Sequence, residues 1–127
     1  MTLLPVTLTA AGAAALINLW LGVRIGRIRI RERISVGDGG NDLLNARMRA
    51  HSNFAEYVPL VLILIGLLEL ALGTSLWLWI AASLFILGRV AHPFGMDGFM
   101  PARQFGAATT MLGMLALGIA AIVIAWY

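Results

Sequence analysis

Residues 49–68 read Arg-Ala-His-Ser-Asn-Phe-Ala-Glu-Tyr-Val-Pro-Leu-Val-Leu-Ile-Leu-Ile-Gly-Leu-Leu. A polar segment runs without a break into an apolar run of membrane grade, so one helix carries both. Arg49, Asn53 and Glu56 stand at i, i+4 and i+7. That spacing lines one helix face in successive turns. Ionisable groups near hydrocarbon are costly, and they face a bundle interior or a water-filled site. The apolar run therefore fixes the class of the chain, and the stripe before it marks the functional region.

Composition agrees with this reading. The chain has 127 residues, 61% hydrophobic and 12% charged. Those values exclude a soluble globular domain and predict an all-α, integral membrane four-helix bundle, with residues 1–127 as a single domain. The first span is the apolar stretch Leu3 to Val23; positive charge follows it rather than precedes it, so it reads as a retained anchor and not a cleaved signal. The second helix starts near Asp42 and continues to about Leu72, where Gly73-Thr74-Ser75 signals a turn. The third runs from Leu76 to Ala91. Pro93, Gly95, Gly98 and Pro101 then mark a loop, and the fourth helix runs from Ala102 to Trp126.

All nine basic residues are arginines. Arg24, Arg27, Arg29, Arg31, Arg33, Arg47 and Arg49 surround the first connection, and Arg89 and Arg103 flank the third. In a four-span chain those connections share one side, which the positive-inside bias makes cytoplasmic. Both termini and the 73–75 turn then face the periplasm, with Trp77, Trp79, Trp126 and Tyr127 as an outer aromatic belt. The style of the sequence suits a bacterial inner membrane. Because the basic residues flank apolar spans, membrane lipid and not nucleic acid is their expected partner.

Several chemistries are excluded. No cysteine is present, so thiolate metal sites and a protein thiol nucleophile are ruled out. The two histidines stand at unrelated positions, so no metal is expected. The Gly-rich connector 34–42 lacks the phosphate-loop pattern, and no serine triad or dinucleotide fingerprint occurs.

What remains is a set of polar groups at one membrane depth. Arg24 and Arg27, with Arg31 beyond, share a face at the inner end of the first helix. Arg89 and His92 are i, i+3 in the third, and Arg103 and Gln104 open the fourth. With the 49–56 stripe they are expected to converge on one cationic cavity, with Glu56 as its lone deep anion. Several arginine forks suit a ligand with two or more carboxylates, and Glu56 suits an ammonium. Glutathione carries both, plus a thiol. Arg103 adds its charge to the positive end of a helix dipole, where a thiolate is favoured. Lowering a thiol pKa by ~2 units from about 8.5 needs ~3 kcal/mol of differential stabilisation.

Plainer roles compete. Arg29, Arg31 and Arg33 suit snorkelling to headgroups. Arg49 and Glu56 could pair through Asn53. Asn18 suits an interhelical hydrogen bond, and His51, on the opposite side from the stripe, suits packing or a subunit contact. Thr109 with Gly113, and Ala116 with Ala120, suit close helix packing within a bundle or between subunits.

The run Arg49-Ala-His-Ser-Asn53-Phe-Ala-Glu56-Tyr57-Val-Pro59 resembles the signature of the MAPEG superfamily, the membrane-associated proteins in eicosanoid and glutathione metabolism. It is most similar to the leukotriene C4 synthase branch, and Arg89-Val-Ala-His92 is similar to the microsomal prostaglandin E synthase branch. The resemblance implies a homotrimer with sites between subunits that open to the cytoplasm. It implies glutathione as co-substrate, contacted by Arg49, Asn53, Glu56 and Tyr57, by Arg89 and His92, and by Arg24 or Arg27 from the first helix. Arg103 matches the arginine that activates the thiol. The implied activity is a glutathione transferase or peroxidase acting on a lipophilic electrophile that enters from lipid between the first and fourth helices. Met96 stands where family enzymes carry a tyrosine, and Gln104 where the prostaglandin branch carries a serine. Those two departures suit the alternative of a non-catalytic lipid- or thiol-binding module. A small multidrug transporter fits less well, since the first helix lacks an acid.

Overall fold

The computed structural model describes residues 2–127 and consists of four helices: α1 (Pro5–Glu32), α2 (Asp42–Leu72), α3 (Leu76–Met96) and α4 (Met100–Trp126). All four are long and apolar enough to cross a membrane. The expected all-α, four-span architecture is what the chain adopts.

At 1.5 Å per residue, the 28 residues of α1 span about 42 Å and the 31 of α2 about 46 Å. A hydrocarbon core is about 30 Å thick. The excess lies where α1 and α2 carry their arginines, so α1 runs past the apolar stretch to Glu32. Arg29 and Arg31 occupy its last turn, where cations suit the negative helix end. Arg33 closes it in the left-handed conformation. Asn41 caps α2 by accepting a hydrogen bond from the Leu44 N–H at 2.9 Å.

The third helix differs from the sequence reading. Pro93 lies inside α3, which continues to Met96, and the connection to α4 shrinks to three residues, Asp97–Phe99. A proline within a helix frees one carbonyl, and in membrane bundles neighbouring groups tolerate that. The stop is Gly98 instead, at φ 127°, a conformation closed to most side chains.

Helices α2 and α3 form the middle of the bundle; α1 packs on both, α4 packs on both, and α1 and α4 do not meet. Val6, Ala10, Ala14, Ile17 and Leu21 give α1 a buried face at i, i+3 and i+4 spacing, set against Phe54, Val58, Val61 and Ile65 of α2. The opposite faces are apolar and open, as lipid requires: Leu112, Leu115, Ile119 and Ile122 of α4 are all exposed.

The tightest seam joins α3 to α4. A Cβ on Gly106 would stand 2.6 Å from the Cβ of His92 and 2.7 Å from the Gly88 carbonyl oxygen. A Cβ on Gly88 would strike the Thr109 side chain, and one on Gly95 would strike the Arg103 backbone. Of the small residues expected at close packing, Thr109 lies in this seam and Ala120 packs against the core; Gly113 has open space beside it and Ala116 is exposed. Gly88, Gly95 and Gly106 do the rest, because only the absence of a side chain lets the backbones approach so closely.

At the end bearing the termini, Glu69 is 1% exposed and reaches across to cap α1. Its carboxylate accepts from Val6 N at 3.0 Å, Thr7 N at 2.8 Å, Thr7 Oγ1 at 2.6 Å and Thr74 Oγ1 at 2.8 Å. Helix α1 has no capping side chain of its own, so this long-range acid satisfies N–H groups that would otherwise lack partners. Glu69→Gln places an amide NH2 where an acceptor is needed. It is expected to cost ~2 kcal/mol, read as a lower thermal midpoint in detergent; an unchanged midpoint would refute the cap.

Candidate functional site

The α1–α2 and α3–α4 connections lie at the same end of the bundle, and a cluster of charges ties them together. Arg24, buried at 8% exposure, forms an ion pair with Asp97. Its guanidinium also lies over the Trp20 and Phe94 rings, 5.0 and 5.9 Å from their centroids. Arg47 of α2 approaches the other Asp97 oxygen at 3.8 Å and donates to the Arg24 carbonyl at 3.2 Å. One carboxylate thus serves two arginines, and it fastens α1 and α2 to the α3–α4 corner. Arg27, one turn further along, is exposed.

One layer in, Arg89 is 1% exposed. It donates to Asn53 Oδ1 at 2.9 Å and to Thr110 Oγ1 at 3.3 Å, with the Phe54 ring 5.6 Å from its guanidinium carbon. Thr110 Oγ1 in turn donates a hydrogen bond to the Gly106 carbonyl at 2.8 Å. These bonds join α2, α3 and α4 through one side chain. His92, a turn along α3, is also buried and presses against Gly106.

The stripe on α2 divides. Arg49 and Glu56 are exposed, while Asn53 and Tyr57 are half-buried. Arg103 is exposed too, although its backbone is pinned against Gly95. Among the described residues no ion pair joins Arg49 to Glu56, so that pairing is not made.

Convergence on one cavity, expected from the sequence, does not occur within a single chain. Arg24, Arg89 and His92 are interior; Arg27, Arg49, Glu56 and Arg103 are on the surface, with Asn53 the link between the two sets. A groove at the end bearing the termini is lined by other residues, among them Ala10, Ala13, Trp79 and Ile86. The physical reason is where the partners lie: a buried arginine is tolerated only when it is paired, and Asp97 holds Arg24 while Asn53 and Thr110 hold Arg89 inside the bundle, whereas Arg49 and Glu56 lie on the outward side of α2. Nor is Glu56 the deep anion. That carboxylate is Glu69, at the opposite end, and Asp97 is the acid among the arginines.

Asp97 and Thr110 escaped the sequence reading, and Arg47 was read there only as a charge flanking the first connection. The signal for Asp97 was present, since it is the one acid between Arg89 and Arg103 in the chain. The bond between His51 Nε2 and Asn18 Oδ1, at 2.8 Å, is the interhelical hydrogen bond expected of Asn18, and it gives His51 a packing role between α1 and α2.

The fold and this placement of charge define a polytopic helical membrane protein with its arginines gathered toward one end. It belongs to the MAPEG family, whose sequence model matches residues 7–123. Among curated proteins it is similar to the inner membrane protein YecN of Escherichia coli strain K12, with 28% identity over 116 residues, covering 90% of this chain and 86% of that protein. The YecN protein of strain CFT073 is similar to the same extent, 28% over 116 residues. No solved structure matches the chain.

Proposed function

We propose that the chain is a glutathione-dependent transferase of the bilayer, acting at a site completed between copies of the chain. The observation that carries this reading is the outward stripe. Arg49 and Glu56 are exposed on a helix continuous with a membrane span, and among the described residues no ion pair satisfies either. Charges so placed are costly against lipid, and a neighbouring copy together with a zwitterionic ligand would cover them. Family membership supports glutathione as that ligand, and the name of the E. coli relatives supports a bacterial inner membrane. The positive-inside bias supports cytoplasmic arginines and periplasmic termini.

In this reading Glu56 receives the ligand ammonium, Arg49 a carboxylate, and Asn53 and Tyr57 the peptide groups. Arg24 or Arg27 and Arg89 supply positive potential from the flanking helices, and His92 offers the ligand a ring nitrogen that has no partner within the chain's described residues. Arg103 stabilises the thiolate. Its sulfur attacks the electrophilic carbon of a lipophilic acceptor, a C–S bond forms, and the leaving group departs with its electron pair. The thiol proton passes to solvent. A hydroperoxide acceptor would instead be reduced to the alcohol and one water at the expense of two glutathiones, which supply the two protons and two electrons and leave as the disulfide. Holding a thiolate beside a membrane-dissolved acceptor supplies much of the rate.

Met96 and Gln104 favour a second reading, a lipid- or thiol-binding module without turnover. Consumption of glutathione with a generic electrophile separates the two.

Two results are expected. Glu56→Gln should weaken glutathione binding by about ten- to a hundredfold, the ~1.5–3 kcal/mol of one charge-assisted contact. The exposed position predicts an unchanged fold, so equal affinity by calorimetry would reject the role. In mild detergent the chain should scatter light as a trimer; a stable monomer across several detergents would refute a shared site.

A further inference from the structure

Arg89 is the largest fully buried side chain among the described residues, and no carboxylate pairs with it there. Its environment is instead Asn53, Thr110 and a ring face. A guanidinium carries donors only. The Asn53 amide must therefore turn its oxygen inward to meet Nη2 at 2.9 Å. The NH2 end is then directed away from Arg89. It makes no hydrogen bond among the described residues, and it is not among their buried unsatisfied atoms. Asn53 is half-buried, at the edge of the exposed face that carries Arg49 and Glu56.

We propose that Arg89 is a positioning residue that locks the Asn53 amide in one orientation, so that the site meets its ligand at Asn53 with a donor and takes a hydrogen-bond acceptor there, a carboxylate or a peptide carbonyl. An unlocked asparagine offers either end and discriminates poorly. A locked one rejects a donor, because two N–H groups then face each other without an acceptor between them. An anionic acceptor at this point also stands one amide away from Arg89. It supplies the negative charge that the guanidinium lacks, so the ligand and Arg89 stabilise each other. This rests on the transferase reading for the identity of the ligand, but not for the polarity of Asn53.

The test uses the full chain in detergent micelles, titrated with glutathione by calorimetry, with thermal midpoints taken in parallel. Asn53→Ala removes the donor and should weaken binding about tenfold. Asn53→Asp keeps the bond to Arg89 and strengthens it with charge, but it offers the ligand an acceptor. It should raise the midpoint and yet bind about tenfold more weakly than Asn53→Ala. A merely structural partner of Arg89 gives the reverse order, with Asn53→Asp binding as well as wild type, and that result would overturn the proposal. In an Arg89→Met background, Asn53→Asp should lower the midpoint, since its carboxylate then lacks a partner; a rise in both backgrounds would also overturn it. If Arg89→Met does not fold, the order of the two Asn53 variants decides. A wild-type chain that takes up no glutathione would remove the transferase reading, and the thermal comparison would then decide the lock.

Discussion

Arg103→Ala is expected to lower turnover about a hundredfold or more while weakening glutathione binding only a few-fold. The ground-state thiol is neutral and asks little of a guanidinium, whereas the thiolate asks for charge. An interaction realised mainly in the activated state is lost mainly from kcat. A hundredfold corresponds to ~2.7 kcal/mol, within reach of one well-aimed guanidinium in a water-poor site. The position suits this role, because Arg103 lies in the first turn of α4 and its backbone is braced against Gly95. Bound glutathione should show thiolate ultraviolet absorbance at neutral pH in the wild type and lose it in the variant. An arginine that only meets headgroups would leave both turnover and absorbance unchanged.

Gly106→Leu is expected to destabilise the bundle by ~3 kcal/mol or more, the upper end of what overpacking costs. Even the first added carbon would stand 2.6 Å from the His92 Cβ and 2.7 Å from a backbone oxygen of Gly88. Neither is the far end of a flexible side chain, so α3 and α4 must part. Parting them moves Arg103 relative to His92 and Arg89, and activity should fall with stability. Gly113→Ala is the control: on the same helix its Cβ meets nothing within 4 Å, and it should leave the thermal midpoint unchanged or slightly raised. If both substitutions behaved alike, the seam would not be the place where the backbones meet.

The architecture was legible because a bilayer simplifies the problem. Twenty or so apolar residues in a row are a helix, and arginines gather at span ends whatever the details of packing. Hence α2 and the 73–75 turn fall where the sequence puts them. Proline is a weaker guide inside a membrane bundle, and Pro93 misplaced the end of α3 for that reason. The candidate site was legible as a set of residues but not as a shape. Periodicity puts Arg49, Asn53 and Glu56 on one face; it does not say that Arg89 would take the Asn53 oxygen, since that bond crosses 36 positions. The pairing of Arg24 with Asp97 crosses 73. Close approach at Gly88, Gly95 and Gly106 was equally hidden, because a glycine in a helix reads the same whether a backbone lies beside it or lipid does.

The most direct test of the central claim is to incubate the purified chain in detergent with glutathione and a chloronitrobenzene, and to follow conjugate and free thiol together. A glutathione-dependent transferase should form conjugate above the uncatalysed rate, with one thiol lost per conjugate and the excess rate abolished by Arg103→Ala. Glutathione bound by the chain, with conjugate formed only at the uncatalysed rate across several electrophiles, would contradict it.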